Sequence, residues 1–194
     1  MCGIVGYIGN KQAHPFLIEG LKRLEYRGYD SSGIALLNEN QIEVFKKQGK
    51  VAEMESLVLS AEPKSTLGIG HTRWATHGVP NDVNSHPHYS NSKRLAIIHN
   101  GIIENYASIK EELLKRGYTF ESETDTEVLV NLIEDVLVHT EVSLAEAVRI
   151  ALNQVVGAYA IAVIEQDNLD QIVVAKKGSP LVIGMGHGEN FIAS

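Results

Sequence analysis

The chain reads as α+β, mainly antiparallel sheets covered by helices, on three observations. Its apolar residues switch between a period near 3.6 and a period of two. Strands come in blocks that alternate with pairs of helices, and the regular strand–helix rhythm of a parallel sheet is missing. With 194 residues, 44% of them hydrophobic, there is material for one sizeable core, so a single domain over 1–194 is expected.

The chain opens Met1-Cys2-Gly3-Ile4-Val5-Gly6-Tyr7, and Ile4, Val5, Tyr7 and Ile8 read as a short buried strand that holds the terminus in the fold. After a turn at Gly9-Asn10, Phe16, Leu17, Leu21 and Leu24 recur at helical spacing and predict a helix over 12–25. A polar, glycine-punctuated loop follows over 26–33. The alternation at 34–37 and 42–46, around Asn38-Glu39-Asn40, then predicts a hairpin. A second helix is expected over 51–59 and a strand over 67–71. The stretch 72–89 has neither period, and loops this long in compact domains are functional or disordered. Its Trp and three His favour function.

Further on, 95–99 reads as a strand ending in Asn100-Gly101, and 106–116 as an amphipathic helix closed by Gly117. Thr124 with Glu127 and Ser143 with Glu146 form capping boxes that open helices over 125–137 and 144–155. The remainder is strand at 158–165, 171–176, 181–184 and from 191 on. Gly184-Met185-Gly186-His187-Gly188 lacks the Walker spacing and precedes a strand, so it reads as a turn.

Seventeen basic against 24 acidic residues give a net charge of −7 without a Lys/Arg block, which argues against nucleic acid as a partner. No apolar run approaches the roughly 20 residues of a membrane-spanning helix. A lone cysteine and the absence of a leader pattern point to the cytoplasm.

That cysteine is Cys2, behind an initiator methionine that is readily trimmed before so small a residue. Trimming would leave one residue with a thiol of reference pKa about 8.5 and an α-amine of about 7.7–8.0, a nucleophile with its own base. Taken alone, Cys2 reads equally as a small buried residue at a strand start. In Arg73-Trp74-Ala75-Thr76-His77-Gly78 the arginine offers a planar fork for one carboxylate, with Thr76 as a further donor; a surface Arg beside a core Trp is the alternative. Asn100-Gly101 is a hairpin-turn signal, and its amide and following N–H are also two convergent donors of the kind a tetrahedral oxyanion needs. Asp125, in the first turn of its helix, is explained by the helix dipole. Facing the same pocket as Arg73, it would complete a grip on the α-groups of a free amino acid. His71, His77, His86, His88 and His99 raise a metal site as a rival. They lack a carboxylate at zinc spacing and a His-Glu-x-x-His helix, so no metal is expected.

These residues lie in separate motifs: Cys2-Gly3-Ile4-Val5-Gly6, Glu25-Tyr26-Arg27-Gly28-Tyr29-Asp30-Ser31, His71 to Gly78, His99-Asn100-Gly101-Ile102-Ile103-Glu104-Asn105 and Ser122-Glu123-Thr124-Asp125-Thr126-Glu127. In this order they resemble the glutaminase domains of the glucosamine-6-phosphate synthase family, class II glutamine amidotransferases of the N-terminal-nucleophile type. The resemblance covers essentially the whole chain, through Gly178-Ser179-Pro180-Leu181 and the closing Glu189 to Ser194.

The resemblance implies a four-layer αββα sandwich with Cys2 as nucleophile and its α-amine as base. It implies that Asn100 and Gly101 form an oxyanion hole, that Arg73 and Asp125 bind glutamine, and that Thr76, His77 and Gly101 line the pocket. Trp74 would gate an ammonia passage. Arg27 belongs to the motif near the terminus and His86 to the loop over the site. No metal or organic cofactor is implied. L-glutamine is the substrate, and the ammonia passes to fructose 6-phosphate in a sugar-isomerase part of the full-length protein, itself expected to be a homodimer.

The family's domain continues past Ser194, so a C-terminally shortened glutaminase domain without its isomerase domains is expected. A retained Met1 would cover the nucleophile. A glutamine-binding module without turnover and a metal hydrolase are the competing classes.

Overall fold

Alternation along the strands builds the layers. At 34–37, Ile34 and Leu36 go to one face and Ala35 and Leu37 to the other, and each pair enters a different core. The computed structural model describes residues 2–74 and 79–194. It contains β1 (Gly3–Ile8), α1 (Ala13–Leu24), β2 (Ser31–Asn38), β3 (Gln41–Gln48), α2 (Val51–Ala61), β4 (Leu67–Arg73), β5 (His88–Tyr89) and β6 (Leu95–Ile103). These are followed by α3 (Tyr106–Lys115), α4 (Asp125–His139), α5 (Leu144–Leu152), β7 (Gly157–Glu165), β8 (Val173–Lys177), β9 (Val182–Met185) and β10 (Asn190–Ala193). The strands form a six-stranded sheet in the order β3-β2-β4-β1-β10-β9 and a four-stranded sheet in the order β5-β6-β7-β8. Every pairing between named strands is antiparallel.

Three cores separate four layers, the αββα sandwich. Val5, Leu17, Leu21, Ile34 and Met54 pack α1 and α2 on the outer face of the larger sheet. Ile4, Ala35, Ile69, Ala96, Ile98, Ala160 and Ala162 fill the space between the sheets, and the run of alanines lets them lie close. Leu95, Ile97, Val128, Leu132, Val148 and Ile161 hold α4 and α5 on the far side. Each fully buried Ile or Leu contributes roughly 1.5–3 kcal/mol relative to exposure, so the alternation decides which face every strand turns inward.

Several expectations are corrected. Asn100-Gly101 is not a turn: β6 runs through it to Ile103, paired with β7 by Asn100 opposite Ala160 and Gly101 opposite Tyr159. The hairpin signal loses because β7 offers a full-length partner. The capping boxes are half formed. Thr124 and Ser143 accept from the N–H of Glu127 and Glu146 as expected. Glu127, however, reaches past its cap to the N–H groups of Glu121 and Ser122, at 2.9 and 2.7 Å, and Glu146 pairs with Arg149. The fifth helix also stops at Leu152, short of 155. The strands over 31–38 and 67–73 are longer than expected and reach into the flanking polar loops. The glycine-rich 184–188 stretch is a turn between β9 and β10, closed by Gly186 N–H to Glu189 C=O at 2.7 Å.

Candidate functional site

The same alternation that fills the inter-sheet core carries polar groups to one end of it. Cys2 shares its side of β1 with Ile4, His71 and Arg73 share theirs with Ile69 on β4, and Asn100 shares its with Ile98 on β6. Antiparallel pairing places the start of β1 beside the end of β4, with Gly3 opposite Thr72, and beside the end of β10, with Val5 opposite Ala193. Ser31, at the start of β2, lies opposite Arg73. Apolar filling therefore gives way to chemistry at this end.

The result is a cleft of about 680 Å³, which Cys2, Arg27, Arg73, Trp74, His86, Asn100, Gly101 and Asp125 all line. That volume suits a small molecule. Every described residue to which the resemblance gives a site role lines it, and of the histidines weighed as a metal site His71, His86 and His99 line it and His88 does not. Thr76 and His77 lie outside the described residues, as does Met1.

Cys2 is partly buried, and its Sγ accepts from the Trp74 N–H at 3.1 Å. Burial pushes the thiol above its ordinary range; the Trp74 amide and the Arg73 guanidinium pull it back, and Asp30 adds to the rise. A thiol so placed is protonated at neutral pH and needs a base. Arg73 is 4% exposed, with Nη1 3.9 Å from Asp30 Oδ1, so its charge is held beside a carboxylate at the cleft wall. Asp125 is 6% exposed, and its Oδ2 accepts from the Ile103 N–H at 2.7 Å. Thr124 caps the helix, so Asp125 is left to face the cleft from the first turn, where the dipole favours its charge.

Asn100 is held by three neighbours. Its Nδ2 donates to the Cys2 carbonyl at 3.1 Å and to Ser194 Oγ at 3.3 Å, and its Oδ1 lies 2.8 Å from His71 Nε2. Gly101 follows with a φ of 132° and a Cβ position only 2.0 Å from the Ala158 carbonyl oxygen, so this strand position accepts glycine alone. Arg27 Nη1 donates to the Ser194 carbonyl at 2.9 Å. Trp74 is 54% exposed at the mouth, its ring against Gly28.

His86 is wall, not cover. Its ring stacks on His71 with centroids 4.2 Å apart, meets His88 edge-on, and accepts the His99 N–H on Nδ1 at 3.3 Å. Among the described residues no three His, Cys, Asp or Glu side chains converge on a metal position. From the sequence, His71 was weighed only among the histidines of a rival metal site, and Ser194 had no site role. The parity of His71 with Arg73 on β4 was a usable signal. Ser194 had none, because its contacts come from β1, β6 and Arg27.

Residues 71–194 match the glutamine amidotransferase domain family. The whole chain is 59% identical to the isomerizing glutamine–fructose-6-phosphate aminotransferase of Bacteroides thetaiotaomicron and 55% identical to that of Caldanaerobacter subterraneus subsp. tengcongensis. It covers 32% and 31% of their lengths, about a third of each. The solved structure of glutamine phosphoribosylpyrophosphate amidotransferase from B. subtilis, complexed with ADP and GMP, superposes with a TM-score of 0.85 at 29% identity. It covers 99% of this chain and 41% of that one. Among the described residues, no helix is long and apolar enough to cross a membrane.

Proposed function

The chain belongs to the glutamine amidotransferase family, and from that premise we propose that it is the glutamine-hydrolysing part of a larger enzyme that makes glucosamine 6-phosphate from fructose 6-phosphate. The observation that carries this reading is one cleft holding the Cys2 thiol, the Asn100 amide, and the buried Arg73 and Asp125. A buried guanidinium and a buried carboxylate in one small cleft suit the α-carboxylate and α-ammonium of a free amino acid. Trp74, Arg27 and His86 support the pocket from its lining, and Thr76 and His77 are assigned to glutamine binding on the family resemblance alone.

With Met1 removed, the Cys2 α-amine takes the thiol proton and Sγ attacks the side-chain carbonyl carbon of glutamine. The carbonyl electrons move to oxygen, where Asn100 Nδ2 and the Gly101 N–H stabilise the developing charge. Collapse expels ammonia, which leaves with the proton returned by the amine, and a γ-glutamyl thioester remains. Water adds to the thioester with the same amine as base, releasing glutamate and restoring the thiol. The raised thiol pKa supports a built-in base, since little thiolate would otherwise exist at neutral pH.

The relatives' lengths support further domains besides this one, and we assign the sugar-isomerase chemistry and homodimer formation to them. A cytoplasmic setting accords with the single cysteine. The test is intact mass before and after incubation with a diazoketone analogue of glutamine, alongside glutamate release by wild type and Cys2→Ala. A mass short by one methionine, a single adduct on Cys2 and turnover that Cys2→Ala abolishes are expected. Turnover that survives Cys2→Ala would sink the reading.

A further inference from the structure

We propose that His71 is a positioning residue for the Asn100 amide: its Nε2–H holds Oδ1, so that both Nδ2 hydrogens face the cysteine side of the cleft. This rests on the reading that Asn100 stabilises the oxyanion.

An asparagine amide can sit in two orientations related by a half-turn, and only one presents hydrogens to a developing negative charge. The surroundings choose between them. The Cys2 carbonyl, 3.1 Å away, can only accept, so the group facing it is Nδ2. Ser194 Oγ, on the same side at 3.3 Å, already accepts from the Ile4 N–H at 2.9 Å. Oδ1 is thereby turned to His71 Nε2 at 2.8 Å, and because Oδ1 can only accept, Nε2 carries the hydrogen.

The ring that supplies this hydrogen is itself fixed. His71 is 1% exposed on β4, its face stacks on His86 at 4.2 Å, and His86 accepts the N–H of His99, the residue before Asn100. Burial holds the ring neutral, with its pKa lowered to about 3, so the hydrogen that Oδ1 requires on Nε2 is the only one the ring nitrogens carry. Both Nδ2 hydrogens are in use, on the Cys2 carbonyl and on Ser194 Oγ. An oxyanion forming beside Cys2 must draw one away by a small rotation of the amide. With Oδ1 anchored, that rotation swings Nδ2 without exchanging it for oxygen, which would repel the charge.

The closing experiment has two independent readouts. Long-range proton–nitrogen correlation on the 15N-labelled 194-residue chain, with the His71 signals assigned by their loss in His71→Gln, reports the tautomer. A neutral ring protonated at Nε2 and unchanged between about pH 5.5 and 8 is expected. A ring protonated at Nδ1, or one that titrates in that range, would overturn the proposal.

Glutamate release is then measured for His71→Leu and His71→Gln, each alone and with Asn100→Ala. His71→Leu is expected to lower kcat roughly 10- to 100-fold, less than loss of an oxyanion donor, with KM for glutamine changed less than about twofold. His71→Gln, which keeps an N–H donor, should recover most of the loss. In the Asn100→Ala background His71→Leu should cost nothing further, the signature of two residues acting as one unit. An equal loss in both backgrounds, or a rise in KM with kcat retained, overturns the proposal. Should His71→Leu not fold, His71→Gln and the tautomer decide. A wild-type chain that releases no glutamate overturns the glutaminase reading, and the tautomer alone then upholds or overturns the His71–Asn100 bond.

Discussion

Gly101 shows how much of the site hangs on one side chain that is not there. Its φ of 132° is costly for any other residue, and an added Cβ would lie 2.0 Å from a backbone oxygen of β7, which cannot move without breaking the ladder that holds Asn100. Gly101→Ala is expected to cost more than about 3 kcal/mol in urea denaturation and to abolish glutamate release. Gly117→Ala is the control, because Gly117 has a φ of 93° but nothing within 4 Å of its Cβ position. It should lose only about 1 kcal/mol, the strain of the left-handed conformation alone. Losses of equal size would mean that backbone strain, not the close approach to β7, dictates glycine at 101. The Asn-Gly pair was visible in the sequence, but its local meaning, a turn, was wrong: a strand, not a hairpin, carries the two residues to the cleft.

Between elements, the aperiodic stretch that follows β4 is fastened by β3. The half-buried Lys46 ammonium donates to the carbonyls of Val83, Ser85 and Pro87 at 3.2, 2.9 and 3.4 Å, and Lys47 and the Gln48 N–H hold Asp82 at 3.0 and 2.7 Å. Asn84 and Glu123 exchange hydrogen bonds across to the segment before α4. Three anchors thus fix the backbone that delivers His86 to the cleft. Burial lowers the Lys46 pKa from 10.5 to about 8, opposed by Glu127, Glu121 and Asp82. Below pH 8 both folded and unfolded chains hold this proton. Between 8 and 10.5 the unfolded chain holds more, so this group's contribution to stability rises with pH, by at most about 1.4 kcal/mol per unit. The stability of wild type relative to Lys46→Met, read from urea unfolding, should therefore increase between pH 7.5 and 10. Parallel curves would show that the ammonium is not buried as described. From sequence, the lack of period over 72–89 marked an irregular segment, although its ends at 72–73 and 88–89 belong to β4 and β5. Its anchoring was not legible, since Lys46 lies on an amphipathic strand where a lysine reads as solvated.

For the molecule as a whole, the polar end of the inter-sheet layer is lined by neutral histidines drawn from different elements: His71 on β4, His86 before β5, His88 on β5 and His99 on β6. Burial lowers the pKa of all four, for His71 to about 3. As pH falls below about 6.5 the unfolded chain binds protons that the folded chain refuses. Stability is therefore full above pH 6.5 and is lost on acidification, by about 1.4 kcal/mol per pH unit for each histidine that stays neutral. Urea unfolding between pH 6.5 and 5 should show a slope of more than two protons, and His88→Gln should reduce it by about one. A slope below one proton would mean that these rings are open to water.

Antiparallel sheets covered by helices were legible in the amino-acid sequence because the periods of strands and helices are local, whereas the four-layer order came with the family resemblance. So did the site, because Cys2, Arg73, Asn100 and Asp125, each open to a plainer reading alone, gain their meaning from the order of the motifs that hold them. Tertiary structure alone decided that β6 continues through Asn100-Gly101, that Ser194 and His71 meet at the Asn100 amide, and that His86 is a wall. Each of these depends on a partner from the facing sheet or from a strand distant in the chain. A hydrogen bond across that gap is chosen only when the two sheets close and water leaves, a contest that no local pattern of residues records.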